Sequence, residues 1–393
     1  MEITLSDPER AFRDEVRDFF AREIPAGWDY PSGTDYFEIG EQEFARLRAW
    51  QKKLAAHRLI GITWPEAYGG RGASPLYDAI LHEEMVRAGA PPTINALGIT
   101  LCGPALLHHG TEEQKERYLA RMLSGEELWC QGYSEPGSGS DLASLRTRAE
   151  LRGDDYVVNG QKVWTSDGQY ADWMFCLVRT DANAPKHRGI GFLLIDMHTP
   201  GVEVRPLRQM TGGSEFCEVF LNDVVVPREN MVGAPTEGWQ IANTVLGYER
   251  GTQALSGCSR FEADFARLLE LMRGAPGLAG DPRVRQRTAQ LKIELSILRL
   301  IALDGLARLR DGRAPGAESS MGKLAKSELE QRLYELAVEL QGPYAALREG
   351  ARAIDAGRWH WRMLWSRAAT IYAGTNEIQR NIIAQRVLGL PRP

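Results

Sequence analysis

The chain of 393 residues holds five cysteines, Cys102, Cys130, Cys176, Cys217 and Cys258, and no two of them form a CxxC pair. An odd number of scattered thiols argues against a disulfide scaffold and against structural zinc, and fits a reducing cytoplasm. No stretch approaches the roughly 18 uninterrupted apolar residues of a membrane span. Neither sign of charge dominates: Lys and Arg number 47, Asp and Glu 52, with a net charge of -5, so nucleic acid is not an expected partner. Low-complexity runs and internal repeats are missing. The opening MEITLSDPERAFRDEVRDFFARE lacks the apolar core of a signal peptide and the Arg/Ser-rich character of a transit peptide, and reads directly as helix.

What remains is a globular composition, 43% hydrophobic and 25% charged, in a chain long enough for two or three domains. Residues 1–125 read as a helical domain. Ser6-Asp7-Pro8-Glu9 is a helix start with proline inside the first turn, followed by Phe12, Val16, Phe19 and Phe20 at helical spacing. A loop at Trp64–Pro75 interrupts the pattern, which resumes at Leu76–Arg87 and after Thr111, an N-cap with Gln114 at the capping-box position.

Residues 126–233 change character, with β-branched and turn residues dominating. DDYVVNGQKVWTS reads as two short strands joined at Asn159-Gly160, and WMFCLVRT, GIGFLLIDM, GVEVRPL and CEVFLNDVVVP continue a small β domain with barrel-like character. Residues 234–393 return to long apolar-periodic segments over 238–273, 282–312, 318–348 and 360–388, which suggests a four-helix bundle. The expected class is therefore α+β and multidomain: helical domain, β domain, helix bundle.

Three motifs fall on this frame: Tyr133–Asp141 (YSEPGSGSD), Asn159–Ser166 (NGQKVWTS) and Ile371–Arg380 (IYAGTNEIQR). Their order and spacing resemble the acyl-CoA dehydrogenase family over nearly the whole chain, matching its TEPGAGSD, NGxKxWIT and YEGTxxIQR signatures. The resemblance implies FAD as cofactor and α,β-dehydrogenation of an acyl thioester, with a base taking the α-proton and the β-hydrogen leaving as hydride to the flavin. It further implies that Gln131, Tyr133, Ser134, Gly139 and Ser140 lie along the flavin, with Ser140 also meeting the thioester arm of the substrate. Trp164, Thr165 and Ser166 would contact the isoalloxazine, and Thr375 and Glu377 the phosphate and adenosine side. For Glu377 a backbone N–H is the better contact, because a carboxylate beside phosphate is repelled.

The usual base of this family is the Glu of YEGT, and here that position is Ala373. Its backbone N–H can still polarise the thioester carbonyl, next to Gly374 on the substrate side; comparable donors contribute about 10²–10³-fold in rate. Some family members carry the base on a helix of the C-terminal bundle, and Glu249-Arg250 matches that site. The resemblance thus makes Glu249 the base, its pKa raised by desolvation in an apolar acyl pocket, and Arg250 a substrate contact. Read without the resemblance, Glu249 and Arg250 are ordinary helix surface charges, and the seven histidines are structural or surface groups.

The family's Arg-x-x-Phe-Gly segment, which binds FAD pyrophosphate across a subunit boundary, has no clear counterpart in MRGAPGLAGDPRVRQR, and its QxFGG segment reads Glu339-Leu340-Gln341-Gly342-Pro343. The combination resembles actinobacterial members that act on steroid and other bulky acyl groups, some of them heteromers, which gives a bacterial cytoplasmic location. Expected partners are an acyl-CoA or carrier-protein thioester, an electron-transfer flavoprotein as acceptor, and further chains in a homo- or hetero-oligomer arranged as a dimer of dimers. Two other readings stay open: a flavin oxidase or monooxygenase on the same fold, and a non-catalytic subunit of a heteromer.

Overall fold

A computed structural model of the chain describes residues 5–24, 28, 41–251, 253–310 and 316–391, with the side chains at 41, 246–251, 253–256 and 276 left outside the description. Two compact units emerge. One gathers residues 1–33, 75–90 and 250–393; the other gathers 34–74 and 91–249.

In the second unit, helices α2 (Glu41–Ala56), α4 (Gly103–His109) and α5 (Glu112–Ser124) accompany the β-sheet, and α6 (Gly238–Gly251) follows it. Helix α5 starts on a full capping box: Thr111 Oγ accepts from Gln114 N, and Gln114 Oε1 accepts from Thr111 N. It stops at Gly125, which takes the left-handed conformation at the C-cap. A buried amide pair ties these helices to the sheet. Gln51 Nε2 donates to the carbonyls of Met122 and Leu123, while Asn95 Nδ2 donates to those of Met122 and Glu127. Asn95 Oδ1 then accepts from Trp129 N at 2.9 Å, which fixes where β1 begins.

The sheet has the strands β1 (Trp129–Gly132), β2 (Arg148–Arg152), β3 (Asp155–Ser166), β4 (Trp173–Arg179), β5 (Ile190–Asp196), β6 (Val202–Leu207), β7 (Phe216–Pro227) and β8 (Met231–Val232). Their order is β6-β7-β3-β2-β4-β5-β8, with β1 added in parallel to β4. Alternate residues of β3, β4 and β7, among them Val158, Met174, Cys176, Val219 and Leu221, fill its core.

The hairpin expected at Asn159-Gly160 is not there. Strand β3 runs straight through it, and the turn lies earlier, between Arg152 and Asp155, with Gly153 left-handed. Asn159 instead marks a register shift against β7, where it exchanges hydrogen bonds with Asp223 at 2.9 and 3.0 Å. Gly160 is required by closeness: a Cβ there would lie 2.4 Å from Thr147 Oγ1. Asn-Gly permits a tight turn, but a twelve-residue strand with a bulge uses the same two residues to bend.

In the first unit, α1 (Asp7–Glu23) opens on a capping box, with Ser6 N donating to Glu9 Oε2, and it buries Phe12, Val16, Phe19 and Phe20 as its spacing predicts. Helix α3 (Pro75–Arg87) packs on it through Phe12 and Tyr77 and through Arg13 and Arg17 to the buried Glu84. The C-terminal part holds α7 (Gln253–Arg273), the short α8 (Pro276–Gly280), α9 (Pro282–Arg310), α10 (Ser319–Leu340), α11 (Arg358–Ala369) and α12 (Asn376–Ile382) around a core that includes Phe261, Leu268, Leu295, Leu333 and Trp359. Two of the segments expected as single helices are shorter or divided. Helix α10 stops before Gly342-Pro343, and 360–388 is cut by a loop at 370–375. The five cysteines are all free and buried. No helix among the described residues is long and apolar enough to cross a membrane.

Candidate functional site

The motif residues of the second unit lie on β1, on the loop after it, and at the end of β3. Gln131 is half-buried in β1 opposite Phe175. Tyr133 is buried, with its ring edge-on to Phe175 and Phe192. The Ser134 carbonyl accepts from Val163 N at 3.0 Å, so the loop is laced to β3. Gly139 and Ser140 are exposed, and a Cβ at Gly137 or Gly139 would meet nothing within 4 Å.

The loop is held from beneath by a residue pair that the motifs contain but sequence reasoning did not single out. Lys162 is fully buried, and its ammonium donates to Glu135 Oε1 at 2.9 Å and to the Tyr133 carbonyl at 3.1 Å. Glu135 also accepts from the backbone N–H groups of Arg146 and Thr147 at 2.7 and 2.8 Å. Burial pushes the Glu135 carboxyl upward. The Lys162 charge and these hydrogen bonds outweigh it and hold the group below the usual carboxylate range. The available signal was a charged residue in each of two motifs otherwise short of charge, one of them at an inward position of a strand.

At the end of β3, Trp164 occupies the left-handed region at φ 60°, where a bulky side chain is strained. It sits in the second register shift of β3 against β7, is 59% exposed, and touches Phe216 edge-on at 6.1 Å. It is therefore not core. Thr165 points inward, fully buried opposite Cys217, and Ser166 is half-buried opposite Phe216.

In the first unit the third motif forms the loop between α11 and α12. Ala373 is left-handed at φ 53° and Gly374 follows at φ 81°. Buried Gln379 reaches back from α12, its Nε2 donating to the Ala373 carbonyl at 2.9 Å and the Gly374 carbonyl at 3.4 Å. A Cβ on Gly374 would stand 2.6 Å from that nitrogen, so glycine is required twice over. The N–H groups of Ala373 and Gly374 find no acceptor among the described residues. Thr375 caps α12, its hydroxyl accepting from Ile378 N at 3.2 Å. Glu377 is exposed in the first turn. Its own backbone N–H, then the Thr375 hydroxyl, hold its carboxylate below the ordinary range.

Glu249 and Arg250 stand on α6, and their side chains lie outside the described residues. Of the histidines, His109 hydrogen-bonds Thr244 Oγ1 at 3.0 Å and His360 the Ala345 carbonyl at 2.9 Å.

Each unit thus carries part of the motif set that resembles the acyl-CoA dehydrogenases: a laced loop and an exposed, strained tryptophan in the second, a left-handed Ala-Gly turn in the first. Comparison with known proteins agrees along the whole chain. The acyl-CoA dehydrogenase N-terminal domain matches residues 6–126, the middle domain 130–224 and the C-terminal domain 236–388. The chain is 40% identical over 391 residues to the acyl-CoA dehydrogenase IpdE1 of Mycolicibacterium smegmatis, and 41% identical over 385 residues to IpdE1 of Mycobacterium tuberculosis, covering 97% of each chain in both cases. Among solved structures, the Tcur3481-Tcur3483 steroid acyl-CoA dehydrogenase superposes with a TM-score of 0.88 at 30% identity over 100% of both chains. The ChsE4-ChsE5 complex from Mycobacterium tuberculosis gives 0.83 at 33%, again over 100% of both. The chain belongs to the acyl-CoA dehydrogenase family, whose members use FAD to dehydrogenate acyl-CoA thioesters.

Proposed function

We propose that this chain dehydrogenates a bulky acyl-CoA with Glu249 as the α-proton base and the Ala373 N–H as the donor to the thioester carbonyl. The observation that carries the reading is the Ile371–Thr375 loop. Ala373 cannot take a proton, yet it is held in a strained left-handed conformation with its carbonyl pinned by Gln379 and its N–H without an acceptor among the described residues. Strain of about 1–3 kcal/mol persists where the surroundings enforce it, and a free N–H in such a turn suits an oxyanion. The carboxylate has then moved to the helix while the amide stays in place.

The residues present fit a flavin on the same grounds. Trp164 offers an exposed indole in a conformation that costs energy, and a Cβ at Gly137 or Gly139 of the 133–141 loop would meet nothing within 4 Å. Gln131, Tyr133, Ser134, Gly139 and Ser140 would line the ring and its arm. Thr165 and Ser166 would stand at its reacting side, and Thr375 and Glu377 toward its phosphates. When bound, FAD supplies the hydride acceptor. Glu249 takes the α-proton, the Ala373 N–H receives the charge that builds on the thioester oxygen, and Arg250, Ser140 and Gly374 position the acyl arm. The lacing by Glu135 and Lys162 holds the 133–141 loop, with Ser134 and Ser140 on it, against β3.

The substrate class rests on two supports: the likeness to a solved steroid acyl-CoA dehydrogenase, and the small side chain at 373 where the family usually carries glutamate. Assembly with a second kind of chain rests on the missing Arg-x-x-Phe-Gly segment and on a relative solved as a complex of two different chains. An electron-transfer flavoprotein is the proposed acceptor. The test is to purify the chain alone and with co-expressed candidate partners, then add a panel of acyl-CoAs under argon. Yellow protein bleached by bulky acyl-CoAs is the expected result. A colourless chain that no partner turns yellow contradicts the reading, and rapid oxygen consumption by the reduced protein favours the oxidase alternative.

A further inference from the structure

Helix α10 turns a polar stripe toward the Ile371–Thr375 loop. Lys323, Ser327 and Gln331 follow one another at intervals of four residues, so they lie one above the other on a single face. Ser327 is buried, and Lys323 and Gln331 are half-buried. Polar groups on a covered helix face are costly unless each finds a partner. Leu329, Leu333, Leu336 and Leu340 of the same helix fill the bundle core instead.

The partners of the stripe are the two ends of the loop. At the α11 end, Gln331 Nε2 donates to the Ser366 carbonyl at 3.0 Å and to Thr370 Oγ1 at 3.4 Å. Ser366 lies in the last turn of α11, where carbonyls run out of helical donors. At the α12 end, Lys323 Nζ donates to Asn376 Oδ1 at 3.0 Å, and Ser327 Oγ lies 2.9 Å from the same oxygen. An ammonium can only donate, so it fixes which end of the Asn376 amide faces α10. Asn376 is buried, and its backbone N–H donates to the Thr370 carbonyl at 3.0 Å, which closes the neck of the loop. One helix face thus grips both residues of the neck, while Gln379 grips the loop from within through the Ala373 and Gly374 carbonyls.

We propose that Lys323, Ser327 and Gln331 are positioning residues that aim the Ala373 N–H at the thioester carbonyl. Ala373 and Gly374 stand in the left-handed region, and such conformations last only where the surroundings over-determine them. Gln379 belongs to α12 and moves with one end of the loop. The α10 stripe refers both ends to the bundle. Few residues separate Thr370 from Asn376, so a shift of either neck residue turns the peptide between 372 and 373, which carries the Ala373 N–H. Misplacement by about 1 Å costs on the order of 10²-fold in rate at an aligned centre. The three residues act through Thr370 and Asn376, not by contact with the thioester.

This inference rests on the reading of the Ala373 N–H as donor to the thioester, and its test tells the two apart. The probe is an α,β-enoyl-CoA, isotope-labelled at the thioester carbonyl and made from an acyl-CoA that bleaches the holoprotein. Its carbonyl stretch is read in the bound state by Raman difference spectroscopy. On the wild type the stretch should fall below its value in water, as a carbonyl polarised by an aimed donor requires. Ser327→Ala and Gln331→Met should move it back toward that value and lower kcat by about 10-fold or more, with KM and FAD content nearly unchanged. Glu335→Gln cuts the exposed pair of Glu335 with Arg367, which joins the same two helices away from the neck, and should leave both stretch and kcat at wild-type values. Ser327→Ala and Gln331→Met proteins that keep the wild-type stretch, whatever their melting temperatures, overturn the proposal. So does a Glu335→Gln protein that moves the stretch as far as they do. A wild-type stretch equal to that in water overturns the Ala373 reading itself.

Discussion

Replacing Glu135 by glutamine keeps the shape of the side chain and removes its charge, and the structure sets the size of the effect. One carboxylate oxygen accepts from Arg146 N, and the other accepts from Thr147 N and the Lys162 ammonium. A glutamine must turn its NH₂ toward one of those sides, so a donor meets a donor in either orientation. Lys162, fully buried, loses its countercharge and keeps the Tyr133 carbonyl and at most a neutral amide oxygen. Breaking one partner of such a pair costs about 3–5 kcal/mol. The double variant Glu135→Gln with Lys162→Met leaves no unpaired charge, and is expected to be more stable than Glu135→Gln alone. The assay is urea unfolding of the holoprotein, with tryptophan fluorescence and flavin release read together, because the loop that Glu135 holds is the one proposed to line the flavin. A Glu135→Gln protein within about 0.5 kcal/mol of wild type, with unchanged flavin retention, refutes the reasoning.

Other outcomes follow from the same geometry. Because the Glu135 carboxyl is held below its ordinary range in the folded chain, its contribution is complete above the unfolded value near 4.5 and is lost as pH falls through the folded one; thermal melts should show an acid-side loss that Glu135→Gln lacks. Gln379→Met frees the Ala373 and Gly374 carbonyls, and should lower kcat by roughly 10²-fold while FAD stays bound, which stopped-flow bleaching by acyl-CoA can read. Gly160→Ala drives a methyl group against Thr147 and should cost about 1–3 kcal/mol in a melt, with flavin spectra unaltered.

Much of this was legible because it is local. The capping boxes at Ser6 and Glu9 and at Thr111 and Gln114, and the buried stripe Phe12, Val16, Phe19 and Phe20, depend on residues within a few positions of one another, and the structure has them as read. Asn159-Gly160 misled because the dipeptide reports backbone permissiveness, which a bulge uses as readily as a turn; what excluded the turn was the pairing of β3 with β7 on both sides of it. The Glu135–Lys162 pair joins residues 27 positions apart and exists because a loop lies over a strand, a contact no periodicity reveals. Likewise, 360–388 keeps helical spacing through the break at 370–375, where only the motif gave notice of the loop. The exposure of Trp164 ran against the habit of tryptophan, since its strained backbone turns it outward.

Glu249→Gln tests the central claim most directly. The variant holoprotein, mixed anaerobically with an acyl-CoA that bleaches the wild type, should keep its FAD and bind the thioester, seen as a shift of the flavin band, and yet fail to bleach. Bleaching at near wild-type rate would show that the base lies elsewhere.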